Sequence, residues 1–196
     1  DVNIAIGNNA LGAEDGASNC IAIGGSALEL QNDDAAINLA IGRYAGDSIT
    51  DGTQNVLIGH QAGSTLAASV IGYQALKTAT GARNTVLGRS AATALDTGTD
   101  NVVIVWNALA TADGGEGHNV VIGSSALENI NADTADGNVA IGMDAGRFTP
   151  AGGAGTDMTL AINSCYIGKD TNSVAAAGAN NEVVLGYAAV GAGTNT

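Results

Sequence analysis

A short motif that returns eleven times along the chain is the feature that most limits its fold. The motif first reads NIAIGNNAL, from Asn3 to Leu11, and returns for example as NVLIGHQAG from Asn55. Its central Gly falls at residues 7, 24, 42, 59, 72, 88, 123, 142, 168 and 186, and Val105 takes this place in one copy. The spacings run from 13 to 26 residues. A rigid motif joined by variable spacers predicts a solenoid with one coil per repeat and with insertions that loop outward.

The three residues before the central Gly are apolar in almost every copy. Counting the Gly as position 0, position −1 is always Ile or Leu, and position −3 is apolar except at Ser69 and Thr85. Side chains alternate along a strand, so these two positions share a face. We assign this face to the interior of the solenoid. Position −2 points the other way, and its residues are Ala5, Ala22, Ala40, Leu57, Val70, Val86, Val103, Val121, Ala140, Tyr166 and Val184.

A strand that is apolar on both faces is buried on both faces. One coil has a single interior, so the sequence predicts that position −2 packs against something outside the coil. A continuous exposed apolar stripe would exceed the few hundred Å² that soluble monomers tolerate. The sequence therefore predicts a homo-oligomer whose contact is made by position −2.

Two further positions fit a tight roll of thin layers. Position +3 is Ala in every copy but one, where it is Thr171, which predicts a sterically closed site. Asn fills position −4 in seven copies. Asn suits corners because its side chain bonds to local backbone and it tolerates left-handed geometry. Only 3% of the residues are aromatic, so the core must be built from stacked small side chains rather than from bulky rings.

Charge and hydropathy exclude several kinds of partner. The formal net charge is −13, whereas phosphate binding needs clustered Lys and Arg, so nucleic acid is not expected. No apolar run is long enough to span a membrane. The acidic residues are expected to keep a long surface soluble. The chain opens and closes inside a repeat, and we expect it to be a segment of a longer fibrous protein.

The sequence predicts no catalytic, cofactor-binding or metal-binding residue and no enzymatic activity. His60 follows a motif Gly in a position of mixed composition, and His118 lies in the spacer DGGEGH without an evident nucleophile. Cys20 and Cys165 lie eight coils apart, far beyond the reach of a disulfide, and Cys165 is expected to be a core hydrophobe. Acidic spacers such as DGTQN and DTGTDN are similar to calcium loops but lack the regular nonapeptide of calcium-binding rolls.

The motifs NLAIG, NVAIG and NVVIG resemble the head repeats of trimeric autotransporter adhesins, the YadA-like head. Similar repeats occur in bacteriophage tail fibres upstream of a C-terminal intramolecular chaperone, and residues 164–196 resemble that region most. The resemblance covers nearly the whole chain. It implies a left-handed parallel β-roll or β-solenoid, with about 11 coils in a single repeat domain over residues 1–196. It implies a homotrimer, and a structural, receptor-contacting role in a virion tail fibre.

Other interpretations stay open at this point. The head of a bacterial trimeric adhesin at the cell surface is the first alternative. Hexads such as IGNNAL and IGSSAL also match hexapeptide-repeat acyltransferases, but each coil holds one hexad rather than three in succession. A contact with a host glycan or protein would lie on spacers, of which residues 147–163 form the largest. Tyr73 and Trp106, which share position +1, either stack on a sugar, cap coil edges or fill gaps between chains.

Overall fold

The computed structural model describes residues 2–13, 19–32, 36–50, 52–63, 68–147, 159–174 and 179–191. These residues form short strands and turns and no helix, so the chain is all-β as predicted. Each copy of the motif supplies one strand to a parallel sheet of eleven strands. These strands are β1 (Ile4–Ile6), β2 (Ile21–Ile23), β3 (Leu39–Ile41), β4 (Val56–Ile58), β5 (Ala68–Ile71), β6 (Asn84–Leu87), β7 (Val102–Ile104), β8 (Val120–Ile122), β9 (Val139–Ile141), β11 (Cys165–Ile167) and β14 (Val183–Leu185).

Each strand of this sheet pairs in register with the strands of the neighbouring copies, and the end strands β1 and β14 have one such partner each. Val103 on β7 lies opposite Val86 and Val121, the residues at the same motif position in the neighbouring coils. Two short sheets flank the main one near the C-terminal end. They pair β10 (Ala161–Ile162) with β13 (Ala179–Asn180), and β12 (Asn172–Ser173) with β15 (Val190–Gly191). Parallel pairing in chain order winds the chain into a β-solenoid, which confirms the predicted all-β solenoid of parallel strands, while its left-handed winding stays a prediction.

The two faces of the sheet are the reverse of the sequence assignment. Position −2, expected outside, is the interior: Val121 is 0% exposed, and the same position is buried in the other coils from Ala22 to Val184. Positions −1 and −3, expected inside, face outward, with Leu87 46% and Ile6 59% exposed. Side-chain size accounts for part of the reversal. Most residues of position −2 are Ala or Val, which leave room behind the sheet for the buried leucines of the turns, although Leu57 and Tyr166 also fit there.

Small side chains and leucines from the turns complete the core behind the sheet. Ala27, Ala45 and Ala62 at position +3 are fully buried, which confirms that this position is sterically closed. Leu residues at position +4, such as Leu28 and Leu127, are buried beside them. Position +4 of the third copy is Gly46, where an added Cβ would lie 2.7 Å from Leu57 Cδ1. The neighbouring leucines therefore already fill this space.

The Asn residues at position −4 form a buried ladder that joins coil to coil. The Oδ1 atom of Asn101 accepts a hydrogen bond from the backbone N–H of Asn119 at 2.9 Å, and Asn119 does the same for Asn138 at 2.9 Å. Most of these bonds therefore join neighbouring coils, whereas the expected bond to local backbone is made by Asn84, whose Nδ2 atom donates to Gly81 O at 3.2 Å. The expected left-handed geometry lies one residue earlier, as at Asp100 and His118, with φ of 60° and 58°.

The residue two places after the central Gly is left-handed although it carries a side chain. The φ angles are 59° at Tyr44, 55° at Gln61 and 54° at Gln74. The left-handed conformation costs an L-residue roughly 1–2 kcal/mol. The surrounding hydrogen bonds hold it in place here, since the N–H of Gln61 bonds to Arg43 O at 3.0 Å and that of Gln74 to His60 O at 2.9 Å.

The central Gly is required because coils approach each other closely at this point. Gly24 has φ +135°, and an added Cβ would lie 2.5 Å from the backbone O of Gly42. We expect Gly24→Ala to lower the free energy of unfolding by more than about 2 kcal/mol, from backbone strain together with the clash. The adjacent Gly25 is the control, because a Cβ there would meet nothing closer than 3.8 Å. Urea unfolding of the two variants measures the difference, and equal stabilities would contradict this account of the turn.

Two sequence predictions concern other parts of the chain. Both cysteines are free, as expected, but Cys165 lies partly exposed on the outward face rather than in the core, whereas Cys20 is buried. Most of the predicted loop 147–163, with Phe148, lies outside the described residues. Its C-terminal end is described, and Thr159 O accepts the backbone N–H of Asn131 at 3.2 Å.

Candidate interaction surfaces

The outward side of the eleven-stranded sheet is an apolar surface, which we name the outer sheet face and define as positions −1 and −3 of every copy. Only Ser69 and Thr85 are polar among these positions. The apolar members are Ile4, Ile6, Ile21, Ile23, Leu39, Ile41, Val56, Ile58, Ile71, Leu87, Val102, Ile104, Val120, Ile122, Val139, Ile141, Cys165, Ile167, Val183 and Leu185. All of them are half-buried or exposed in the single chain.

The outer sheet face is long, continuous and uncharged. Eleven strands at a separation of about 4.8 Å make a stripe on the order of 50 Å long. A shallow groove of about 370 Å³ runs beside it, lined among others by Ile21, Ile37 and Leu39. Because no position of the face carries a charge, this surface can bury against another apolar surface without desolvating an ion.

A second surface joins cationic and aromatic side chains of consecutive coils; we name it the position +1 strip. It consists of Arg43, Tyr44, His60, Tyr73, Arg89 and Trp106, of which all but Tyr44 occupy position +1. The His60 and Tyr73 rings stack with centroids 5.4 Å apart and an angle of 12° between planes.

An arginine guanidinium group lies at each end of this row of rings. The Arg43 Cζ atom lies 4.4 Å from the Tyr44 ring centroid, and the Tyr44 ring stands edge-on to His60 at 6.1 Å. At the other end the Arg89 Cζ atom lies 5.7 Å from the Tyr73 centroid. Trp106 follows in the next coil and is 47% exposed. The sequence had pointed to Tyr73 and Trp106 as a pair, but not to the cationic ends or to His60 as the link.

The two histidines lie in different surroundings. His60 is held by the aromatic contacts of the strip. His118 is exposed, and its Nε2 atom lies 3.7 Å from Asp100 Oδ2. Asp100 also accepts a hydrogen bond from Arg83 Nε at 2.6 Å. That hydrogen bond lowers the pKa of Asp100 to about 2. His118 thus lies beside the surface ion pair of Arg83 and Asp100, and exposed pairs of this kind contribute little to stability.

Glu116, in the spacer DGGEGH, is an acidic residue within the coil stack. The residue is 0% exposed, and its Oε2 atom accepts the backbone N–H of Gly114 at 3.0 Å, while Oε1 has no hydrogen-bond partner. Burial, with a smaller effect from Asp113 and Asp133, raises the pKa of Glu116 above its usual value. Over the part of the chain with defined coordinates, no three acidic, His or Cys side chains are placed to hold a metal ion.

A raised pKa in the folded state means that Glu116 favours folding when protonated and opposes it when charged. Its contribution is therefore largest below the unfolded pKa and is lost as the pH rises through the folded pKa. We expect Glu116→Gln, which keeps an acceptor for Gly114, to raise the melting temperature at neutral pH and to flatten its dependence on pH between acid and neutral. Glu29→Gln is the control, because Glu29 also lies in a spacer but is only half-buried. A lower melting temperature for Glu116→Gln at neutral pH would contradict this interpretation.

The chain was compared with protein-family models, curated proteins and solved structures, and none of them matches it. Across the described residues there is no helix long and apolar enough to cross a membrane.

Proposed function

We propose that this chain is a structural, receptor-contacting segment of a homotrimeric bacteriophage tail fibre, located in the virion and without enzymatic activity. The observation that carries the proposal is the outer sheet face. An isolated chain leaves about twenty apolar side chains in two parallel rows against water, and such a stripe exceeds the largest patches of soluble monomers.

Identical chains are the partners that fit this face best. A face that is uniform along the rod gives the same contact in every coil, so parallel copies can pack over the full length. Cyclic symmetry then turns the same face of each copy toward the common axis. Three copies, wound as left-handed rolls, are the number that the resemblance to YadA-like head repeats implies.

The repeat also favours a structural role over catalysis. The side chains of the motif are used in packing, in the coil-to-coil Asn ladder and in the outer sheet face. A hexapeptide-repeat enzyme would place a hexad on every side of the coil, whereas each coil here carries one. The head of a bacterial trimeric adhesin at the cell surface remains the alternative, because the same resemblance supports it.

Light scattering tests the oligomer directly. We expect a mass of about 57 kDa, three times the 19.1 kDa of one chain. A clean 19.1 kDa species at micromolar concentration would contradict the proposal. The sequence of the parent gene distinguishes the two candidate functions. A chaperone module after this segment indicates a phage fibre, and a coiled-coil stalk with a membrane anchor indicates an adhesin.

A further inference from the structure

We propose that the position +1 strip is a binding site for an acidic polysaccharide that lies along the solenoid axis. The inference rests on the receptor-contacting role proposed above and gives that role a location and a ligand class. It starts from an uneven distribution of charge. The chain has a net charge of −13, yet residues 68–95, which contribute Tyr73 and Arg89 to the strip, contain no Asp or Glu.

The motif segments that contribute the other residues of the strip also lack acidic residues. Residues 38–46, 52–63 and 101–112, which contribute Arg43, His60 and Trp106, also lack Asp and Glu. The acidic residues of this half of the molecule lie in the intervening spacers, as Asp47, Asp96 and Asp100 do. The strip is therefore a cationic surface on an acidic rod, and a partner that it attracts must be anionic.

The placement of the two arginines limits the shape of that partner. Arg43 and Arg89 belong to the third and sixth copies of the motif, and three coil steps of about 4.8 Å separate their backbones by about 14 Å. Their guanidinium groups lie against different rings, Arg43 against Tyr44 and Arg89 against Tyr73. A ligand that pairs with each arginine separately carries two negative charges on a chain that runs parallel to the rod.

The side chains between the two arginines indicate what separates those charges. The stacked His60 and Tyr73 rings are held by each other and by Arg89, so few rotamers are lost on binding. Beside them the Gln74 Nε2 atom donates a hydrogen bond to Gln61 Oε1 at 3.0 Å, which adds a row of amides. Aromatic edges and amides suit uncharged sugar rings with hydroxyl groups, and the exposed Trp106 offers a ring for packing against sugar C–H bonds.

A nucleic acid fits this surface less well. Its phosphates follow at every nucleotide and are bound by clustered Lys and Arg, whereas the strip has two arginines with three aromatic side chains between them. Sparse carboxylates separated by neutral sugars match the pattern better. Arginine binds a carboxylate with two parallel N–H···O bonds, so each guanidinium can hold one acidic sugar.

The test uses the protein as it exists and fluorescently labelled hyaluronan oligosaccharides, in which acidic and neutral sugars alternate; labelled oligosaccharides of unsulfated chondroitin, which alternate in the same way, are the second probe. We expect binding by anisotropy that weakens with added salt. The double variant Arg43→Gln/Arg89→Gln is expected to lose affinity by at least about tenfold. The control Lys77→Gln/Arg83→Gln removes the same charge outside the strip and is expected to change affinity by no more than about twofold.

Several outcomes would overturn the proposal: no binding of either probe, equal loss in both double variants, or tighter binding of a thymidine oligonucleotide or of polyglutamate. A changed mass of Arg43→Gln/Arg89→Gln in light scattering would also overturn it, because the strip would then be a contact between subunits. The proposed oligomer is judged separately: a monomer that binds hyaluronan contradicts the trimer alone, and a trimer that binds neither probe contradicts the site alone.

Discussion

Val121→Asp is expected to abolish folding of the solenoid. The Val121 side chain is 0% exposed and lies between Val103 and Ala140 in the stacked interior. An unpaired carboxylate there has no cationic partner within the apolar stack, and a buried isolated charge costs several kcal/mol. Domains are stable by only about 5–15 kcal/mol, so we expect loss of the β-sheet signal in circular dichroism at room temperature.

Two control variants separate the effect of burial from that of charge. Asn131→Asp adds the same charge at an exposed spacer residue, and Ser124→Ala changes a half-buried residue three places after Val121. Each is expected to alter the free energy of unfolding by no more than about 0.5 kcal/mol. If Val121→Asp folds and melts like these controls, position −2 is not the interior.

Leu87→Asp is expected to dissociate the proposed oligomer while leaving each chain folded. Leu87 belongs to the outer sheet face and is 46% exposed in the single chain, so a carboxylate at this position stays in contact with water there. In the oligomer the same charge would be buried in every subunit, at several kcal/mol each. The dissociation constant should therefore rise by about a thousandfold or more.

The measurement is light scattering combined with circular dichroism. For Leu87→Asp we expect a mass of 19.1 kDa and an unchanged β-sheet spectrum. Asn131→Asp serves again as the control and should keep the mass of the wild-type protein. An unchanged mass for Leu87→Asp would show that subunits do not meet at the outer sheet face. Loss of the spectrum would show that the face belongs to the core of the chain.

The sequence predicted the solenoid of parallel strands because the recurrence of the motif is enough to indicate this architecture. The eleven motif copies form eleven paired strands, and the Ala side chains of position +3 are buried. Both predictions hold because stacking in register gives each motif position the same surroundings in every coil. It could not tell which side of the strand faces inward. Both sides are apolar, so the usual contrast between a wet and a dry face is missing, and the choice depends on the width of the interior.

The candidate surfaces could be predicted only in part. An apolar contact face was expected, but it was placed at Val121 rather than at its neighbours Val120 and Ile122. Tyr73 and Trp106 were recognised as sharing a position. The contacts of His60 with Tyr44 and Tyr73 depend on the orientation of the rings, which the spacing of these residues in the sequence does not determine. The bond from the Tyr166 hydroxyl to Glu182 Oε2, 3.0 Å long, was missed, although Glu182 occupies position −4, where most copies have Asn.

The direction of the interstrand hydrogen bonds has a mechanical consequence for a fibre. Strands that stack as coils place their N–H···O bonds along the rod, so tension along the axis pulls on these bonds lengthwise rather than in shear. All bonds between two coils then share the load, and the Asn101–Asn119 bond adds to them. Between β9 and β11 the covalent path is longest, since their central glycines are 26 residues apart. Under stretching, that junction can separate widely before the backbone itself is pulled taut, which gives the rod a built-in extensible joint.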